Sequence, residues 1–109
     1  MNEPTQQEPA EAGLERLRQL KYEHQRQQFD AGHEAGRRWA LDNADFDQVQ
    51  RAAHLSIACQ LDDPFRATRL VAECLGCRHD QVRALFPPDV TVRFVHGWLN
   101  GCRRIYFSL

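Results

Sequence analysis

Two stretches of this chain follow one pattern. Residues 29–38 read FDAGHEAGRR and residues 94–103 read FVHGWLNGCR, and both fit F-x-x-G-x-x-x-G-x-R. On a helix the phenylalanine and both glycines of each stretch share a face. A glycine inside a helix is worse than alanine by about 1 kcal/mol. Four of them together remove about 4 kcal/mol, a large share of the 5–15 kcal/mol that holds a domain folded. Some gain must offset this loss. The simplest is close backbone approach, since glycine lets two helices touch with no side chain between them. The expectation is therefore that the first and last helices cross at Gly32, Gly36, Gly97 and Gly101, with Phe29 and Phe94 on the same faces and an approximate two-fold relation. The alternative is that both faces are offered to a partner chain. Spaced small residues of this kind are best known between membrane helices. Trp39, Trp98 and Phe94 read as core aromatics of the crossing.

The rest of the chain predicts an all-α protein, a compact bundle of about five helices. Residues 1–12 hold two prolines and three glutamates before any apolar periodicity, which predicts a flexible acidic tail ahead of a single domain over 13–109. From Gly13 to Asn43 the pattern is helical and free of proline. Between Leu20 and Phe29 its one apolar residue is Tyr22, so the segment Leu14–Gln28 is expected to stand out as an arm. Asp45 with Gln48 three residues on resembles a capping box. Phe46, Val49, Ala53, Ile57 and Leu61 then line one side of a second helix. Asp63 and Pro64 open a third, as N-cap and first helical residue. It carries Ala67, Leu70, Val71 and Cys74 and stops near Gly76. A short helix over about 80–86 ends at Pro87 and Pro88, and Asp89 is expected to cap a last helix over about 90–107.

Composition narrows the function classes. The chain has 109 residues, 42% hydrophobic and 27% charged, with a net charge of −1. That is ordinary for a globular protein and gives no global pull toward nucleic acid or anionic lipid. No apolar run reaches membrane-spanning length. The opening residues lack the basic and apolar regions of a secretory signal, so a cytoplasmic location is the expectation and the four cysteines read as reduced thiols. Residues 90–109 carry Arg93, Arg103 and Arg104 and no acid, a charge that suits the C-terminus of the chain's own helix.

The segment VAECLGCRHDQVRAL, Val71 to Leu85, holds the one arrangement that suggests chemistry. Cys74, Cys77 and His79, with Cys59 or Cys102, supply enough ligands for zinc, but no second paired set accompanies them and Cys74 lies on an apolar stripe. Cysteine as a small hydrophobe explains the pattern with less. Haem attachment needs a histidine directly after the second cysteine, and Arg78 stands there. A redox pair needs a helix N-terminus to lower its thiol pKa, whereas this pair closes a helix. No cofactor is expected. Ser56 and Ser108 have no evident His–acid partners, the five histidines are scattered, and no phosphate-cradling glycine loop exists, so nothing argues for an enzyme.

Offset by offset, residues 68–87 resemble the helix–turn–helix pattern of bacterial DNA-binding proteins. Val71, Ala72, Leu75, Gly76, Cys77, Val82 and Leu85 fall at its packing and turn positions. The resemblance implies that the second helix enters a major groove with Arg78, His79, Gln81 and Arg83 as base or phosphate contacts. Against it stand the shortness of that helix, the Pro87-Pro88 stop, Asp80 near its start and the slightly negative charge. The plainer reading is an αα-corner inside a bundle. The sequence thus points to a small non-enzymatic helical protein that binds a protein partner or a second copy of itself, through the arm or the glycine faces. The alternative is a DNA-binding regulator using residues 68–86.

Overall fold

Asp45 and Gln48 show how the chain sets its helix boundaries. The Gln48 amide donates to Asp45 Oδ1 at 2.8 Å and the Asp45 amide donates to Gln48 Oε1 at 3.1 Å, so each satisfies one backbone group that a helix start leaves open. The structure, a computed structural model, describes residues 4–55 and 63–109, with side chains from residue 10 onward. Among the described residues there are five helices and no strand: α1 (Pro4–Asp42), α2 (Phe46–His54), α3 (Pro64–Leu75), α4 (His79–Arg83) and α5 (Val92–Tyr106).

Several boundaries differ from expectation. α1 begins at Pro4, so residues 4–12 are helical rather than a loose tail. Pro4 sits in the first turn, where proline is tolerated, whereas Pro9 lies further in and costs a backbone hydrogen bond; the surrounding Gln, Glu and Ala are good helix formers even without apolar periodicity. α2 closes at Leu55, whose amide donates to the Ala52 carbonyl at 3.3 Å. Ile57, Leu61, Ser56 and Cys59 lie outside the described residues. α3 opens with the Phe65 amide donating to Asp63 Oδ1 at 2.9 Å and closes at Gly76, whose φ of 71° is the left-handed conformation that favours glycine. α4 spans five residues, and Phe86 follows it in irregular backbone. α5 starts two residues late. Pro87-Pro88 leads into a turn in which the Val90 amide donates to the Pro87 carbonyl at 3.1 Å, so the cap is Thr91, not Asp89. Thr91 Oγ1 accepts the Phe94 amide at 3.1 Å.

The core is gathered on α5. Trp98, Val95 and Cys102 are fully buried, with Phe94 and Leu99 beside them. Trp39 of α1 stacks on Trp98 with ring centroids 4.6 Å apart, and Phe86 meets Trp98 edge-on at 5.4 Å. Val49 and Ala52 of α2, Ala67, Val71 and Ala72 of α3, and Val82 of α4 complete the cluster. Phe46, expected on the core side, is 61% exposed and rests against Tyr106 at the bundle's end, with centroids 6.0 Å apart. Leu85 is also exposed, and Phe86 takes the core position in its stead. The radius of gyration is 18.1 Å and the long dimension 66 Å, against about 13 Å for a compact chain of this length. The difference lies in α1, whose residues 10–24 are exposed apart from the half-buried Gly13 and whose first buried residue is Gly32.

Candidate functional site

The glycine faces meet each other. A Cβ built on Gly32 would overlap the Phe94 carbonyl, 2.8 Å from its carbon, and one on Gly36 would overlap the Trp98 carbonyl, 2.7 Å from its carbon. On the other helix, a Cβ on Gly97 would overlap the Phe29 carbonyl, and one on Gly101 would overlap that of His33 and lie 2.8 Å from the Arg37 amide nitrogen. α1 and α5 therefore run parallel, backbone on backbone. Each glycine points a Cα–H at a carbonyl oxygen of the other helix, the arrangement of a Cα–H···O contact. The register is symmetric. Gly32 meets Phe94 while Gly97, its counterpart in the repeat, meets Phe29, the counterpart of Phe94. Gly36 meets Trp98 while Gly101 meets His33 in the same relation. The repeated motif thus forms a pseudo-two-fold pair. Phe94 is buried and Phe29 half-buried in it. Cys102 Sγ donates to the Gly36 carbonyl at 3.6 Å, and burial pushes that thiol up to about 12. All four glycines are covered by the chain itself.

The helix–turn–helix-like segment is built from α3, the Gly76 turn and α4. Val71, Ala72, Leu75 and Val82 are buried, as the packing positions of such a corner require. Arg78, Gln81 and Arg83 are exposed, and Arg78 Nε donates to Asp80 Oδ1 at 3.2 Å. His79 differs from them. It is half-buried against Phe65, ring centroids 4.7 Å apart, and its Nε2 is buried without a hydrogen-bond partner. With Arg83, Phe86 and Pro88 these residues line a shallow cleft of about 230 Å³. At five residues α4 offers about 8 Å of helix, little more than one turn.

The thiols point to separate acceptors. Cys74 Sγ donates to the Arg51 carbonyl at 3.3 Å and Cys77 Sγ to the Leu75 carbonyl at 3.8 Å. Burial raises the Cys74 pKa, against the opposing pull of Arg51. Among the described residues no group of three or more His, Cys, Asp or Glu converges as a metal site, and no helix is long and apolar enough to cross a membrane. His96 is half-buried with its Nε2 unpartnered, and burial together with Arg93 lowers its pKa. On the outer side of α1, Glu34 bonds both Arg37 and Arg38 at 3.0 Å, and these pairs hold its carboxyl below the usual range.

The remaining surface is the arm. Leu14, Leu17 and Leu20 are 52%, 54% and 47% exposed and Tyr22 is 63% exposed. Its junction with the bundle lies near Gln28, whose Oε1 accepts from Thr91 Oγ1 at 3.2 Å beside the start of α5. A second exposed group, Leu41, Phe46, Phe107 and Leu109, sits at the opposite end of α1 and α5. Sequence reasoning missed that group because Phe46 fitted the helical spacing of a core position. Compared with protein-family models, curated proteins and solved structures, the chain matches none.

Proposed function

We propose that this chain is a non-enzymatic helical protein that binds a protein partner through the arm of α1. One observation carries the reading: three leucines at three-residue spacing stand about half exposed on a helix that continues without interruption into the bundle. A row of leucines on a projecting helix is the usual form of a helix-in-groove or helix-on-helix contact. The glycine seam supports this, because it fixes the direction of α1 where the arm leaves the bundle. Removing the leucines tests it. Leu14→Glu with Leu17→Glu leaves the bundle core untouched, so the variant should keep its cooperative unfolding and lose partner retention in an affinity capture. Retention equal to the unaltered chain would refute the reading.

The DNA-binding alternative has weaker support. Arg78, Gln81 and Arg83 face outward, but His79 is turned toward Phe65 and α4 is a little over one turn long. A salt-sensitive gel shift lost in Arg78→Ala/Arg83→Ala would favour it over the partner-binding reading.

A further inference from the structure

The arm carries a pattern of charge as well as leucines. From the start of the chain to Glu15 the sequence holds four glutamates and no base, whereas residues 16–26 hold Arg16, Arg18, Lys21 and Arg26 against Glu23 alone. At 100° per residue, Leu14, Leu17, Leu20 and His24 follow one side of the helix with Lys21 between Leu14 and Leu17, and Glu11 and Arg18 border that side along one flank. Glu15 lies on the far side and is paired with Arg18 at 3.4 Å. Among the described residues neither Glu11 nor Lys21 has an ion-pair partner.

We infer that the occupant of this surface is a second copy of the chain, its arm laid antiparallel against the first. This rests on the reading that the arm is the binding surface. Two features place the two-fold axis at one point. The midpoint of Leu14 and Leu17 lies between Glu15 and Arg16. The change from acidic to basic sequence also falls there. With the axis at that point Leu14 packs on the partner copy's Leu17 and Leu17 on its Leu14. In an antiparallel pair each flank meets its own counterpart, so Glu11 faces the other copy's Arg18, and the other copy's Lys21, level with the residue before Glu11, reaches it from the edge of the leucine stripe. A parallel pair in register would set Lys21 against Lys21 and carry the two Glu11–Arg18 flanks to opposite sides of the pair. The antiparallel form also sends the two bundles to opposite ends, where they do not collide.

Lys21 is the chain's one lysine, which makes the orientation readable. Zero-length carbodiimide coupling of the full chain, followed by peptide mass spectrometry, should join Lys21 of one copy to Glu11 of the other. Coupling of Lys21 to Glu23 between copies would show a parallel pair and overturn the inference. Light scattering should show a mass that rises toward the dimer with concentration. Glu11→Lys alone and Lys21→Glu alone should each weaken the dimer at least several-fold, and the two changes together in one chain should restore it. No rescue, or a dimer indifferent to either single change, overturns the antiparallel pairing. A mass that stays monomeric at every concentration also overturns it. The wider reading is then decided separately by whether Leu14→Glu/Leu17→Glu abolishes capture of a different protein.

Discussion

Replacing Gly36 by alanine tests the seam between α1 and α5. In an ordinary helix this change gains about 1 kcal/mol of propensity. Here the new Cβ would lie 2.7 Å from the Trp98 carbonyl carbon and 2.8 Å from its Cα, both backbone atoms that cannot rotate aside. Relief requires the helices to part by about 0.5–1 Å, which forfeits roughly a quarter to a half of each dispersion contact along the seam. The four glycine Cα–H···O contacts, at about 0.5–1 kcal/mol each, loosen with it, a further loss of up to about 2–4 kcal/mol. After the propensity gain, the net effect is about 1–3 kcal/mol of destabilisation, in line with other overpacked contacts. For a domain near this size that lowers the melting temperature by roughly 5–20 °C. Urea and thermal unfolding followed by circular dichroism and by the fluorescence of the Trp39–Trp98 pair will measure it. Gly13→Ala is the control, since nothing lies within 4 Å of a Cβ there, and it should raise helicity and leave the midpoint equal or higher. Gly36→Ala and Gly101→Ala together should lose less than the sum of the two, because the first opens the seam for the second. If Gly36→Ala stabilises the protein as Gly13→Ala does, the close-approach account is wrong.

Other consequences follow from single groups. The Cys102 thiol stays protonated in the fold up to about 12, against an ordinary 9.0. The unfolded chain therefore releases its proton first, and stability measured by urea midpoint should fall between about pH 9 and pH 12, less so in Cys102→Ala once that variant's own loss of packing is subtracted. His96 has the opposite sign: its pKa is depressed from 6.5, so the unfolded chain takes up a proton the folded one resists. Stability should decline as pH falls below about 6.5, and His96→Gln should flatten that part of the profile. Asp45→Ala removes the α2 cap and should lower unfolding free energy by about 1 kcal/mol, with no effect on self-association through the arm.

How much of this was legible beforehand depends on what kind of signal each feature leaves. The helix starts at Phe46 and Pro64 were readable because a short polar side chain at a fixed offset from the first turn has one geometric use. The glycine contact was readable because four unfavourable residues in two matching segments demand an offsetting gain. Other features left no such mark. The start of α5 depended on whether Asp89 or Thr91 would cap, and only the turn closed by Pro87 and Val90 decides that. Phe46 and Leu85 have core-like spacing and lie outside, since periodicity names a face but not the neighbour that covers it. Phe86 took the place next to Trp98 because α4 ends at Arg83 and the chain turns inward, a backbone event that composition does not encode. The helical state of residues 4–12 was hidden for a different reason: propensity without periodicity resembles a polar tail.

The symmetric seam bears on how the arm is used. A pair of helices related by a pseudo-two-fold axis, and held by backbone contact, has little freedom to slide, because any shift brings a glycine's neighbour into the position that only glycine fits. α1 is continuous from Pro4 to Asp42, so its exposed half inherits a fixed direction from its buried half. A ligand that docks on the arm then meets a pre-aligned helix and does not have to order it, which removes part of the entropic cost of association. The two halves of α1 should also be separable in experiment. Changes at Leu14, Leu17 or Lys21 act on association and leave the unfolding of the bundle alone. Changes at Gly32 or Gly36 act on unfolding and reach the arm only by turning it or by melting its base. A Gly36 variant that stays folded should therefore still associate through the arm, with Lys21 still coupling to Glu11 of the second copy. Loss of association in a fully folded Gly36 variant would mean that the seam itself, rather than the arm, is the binding surface.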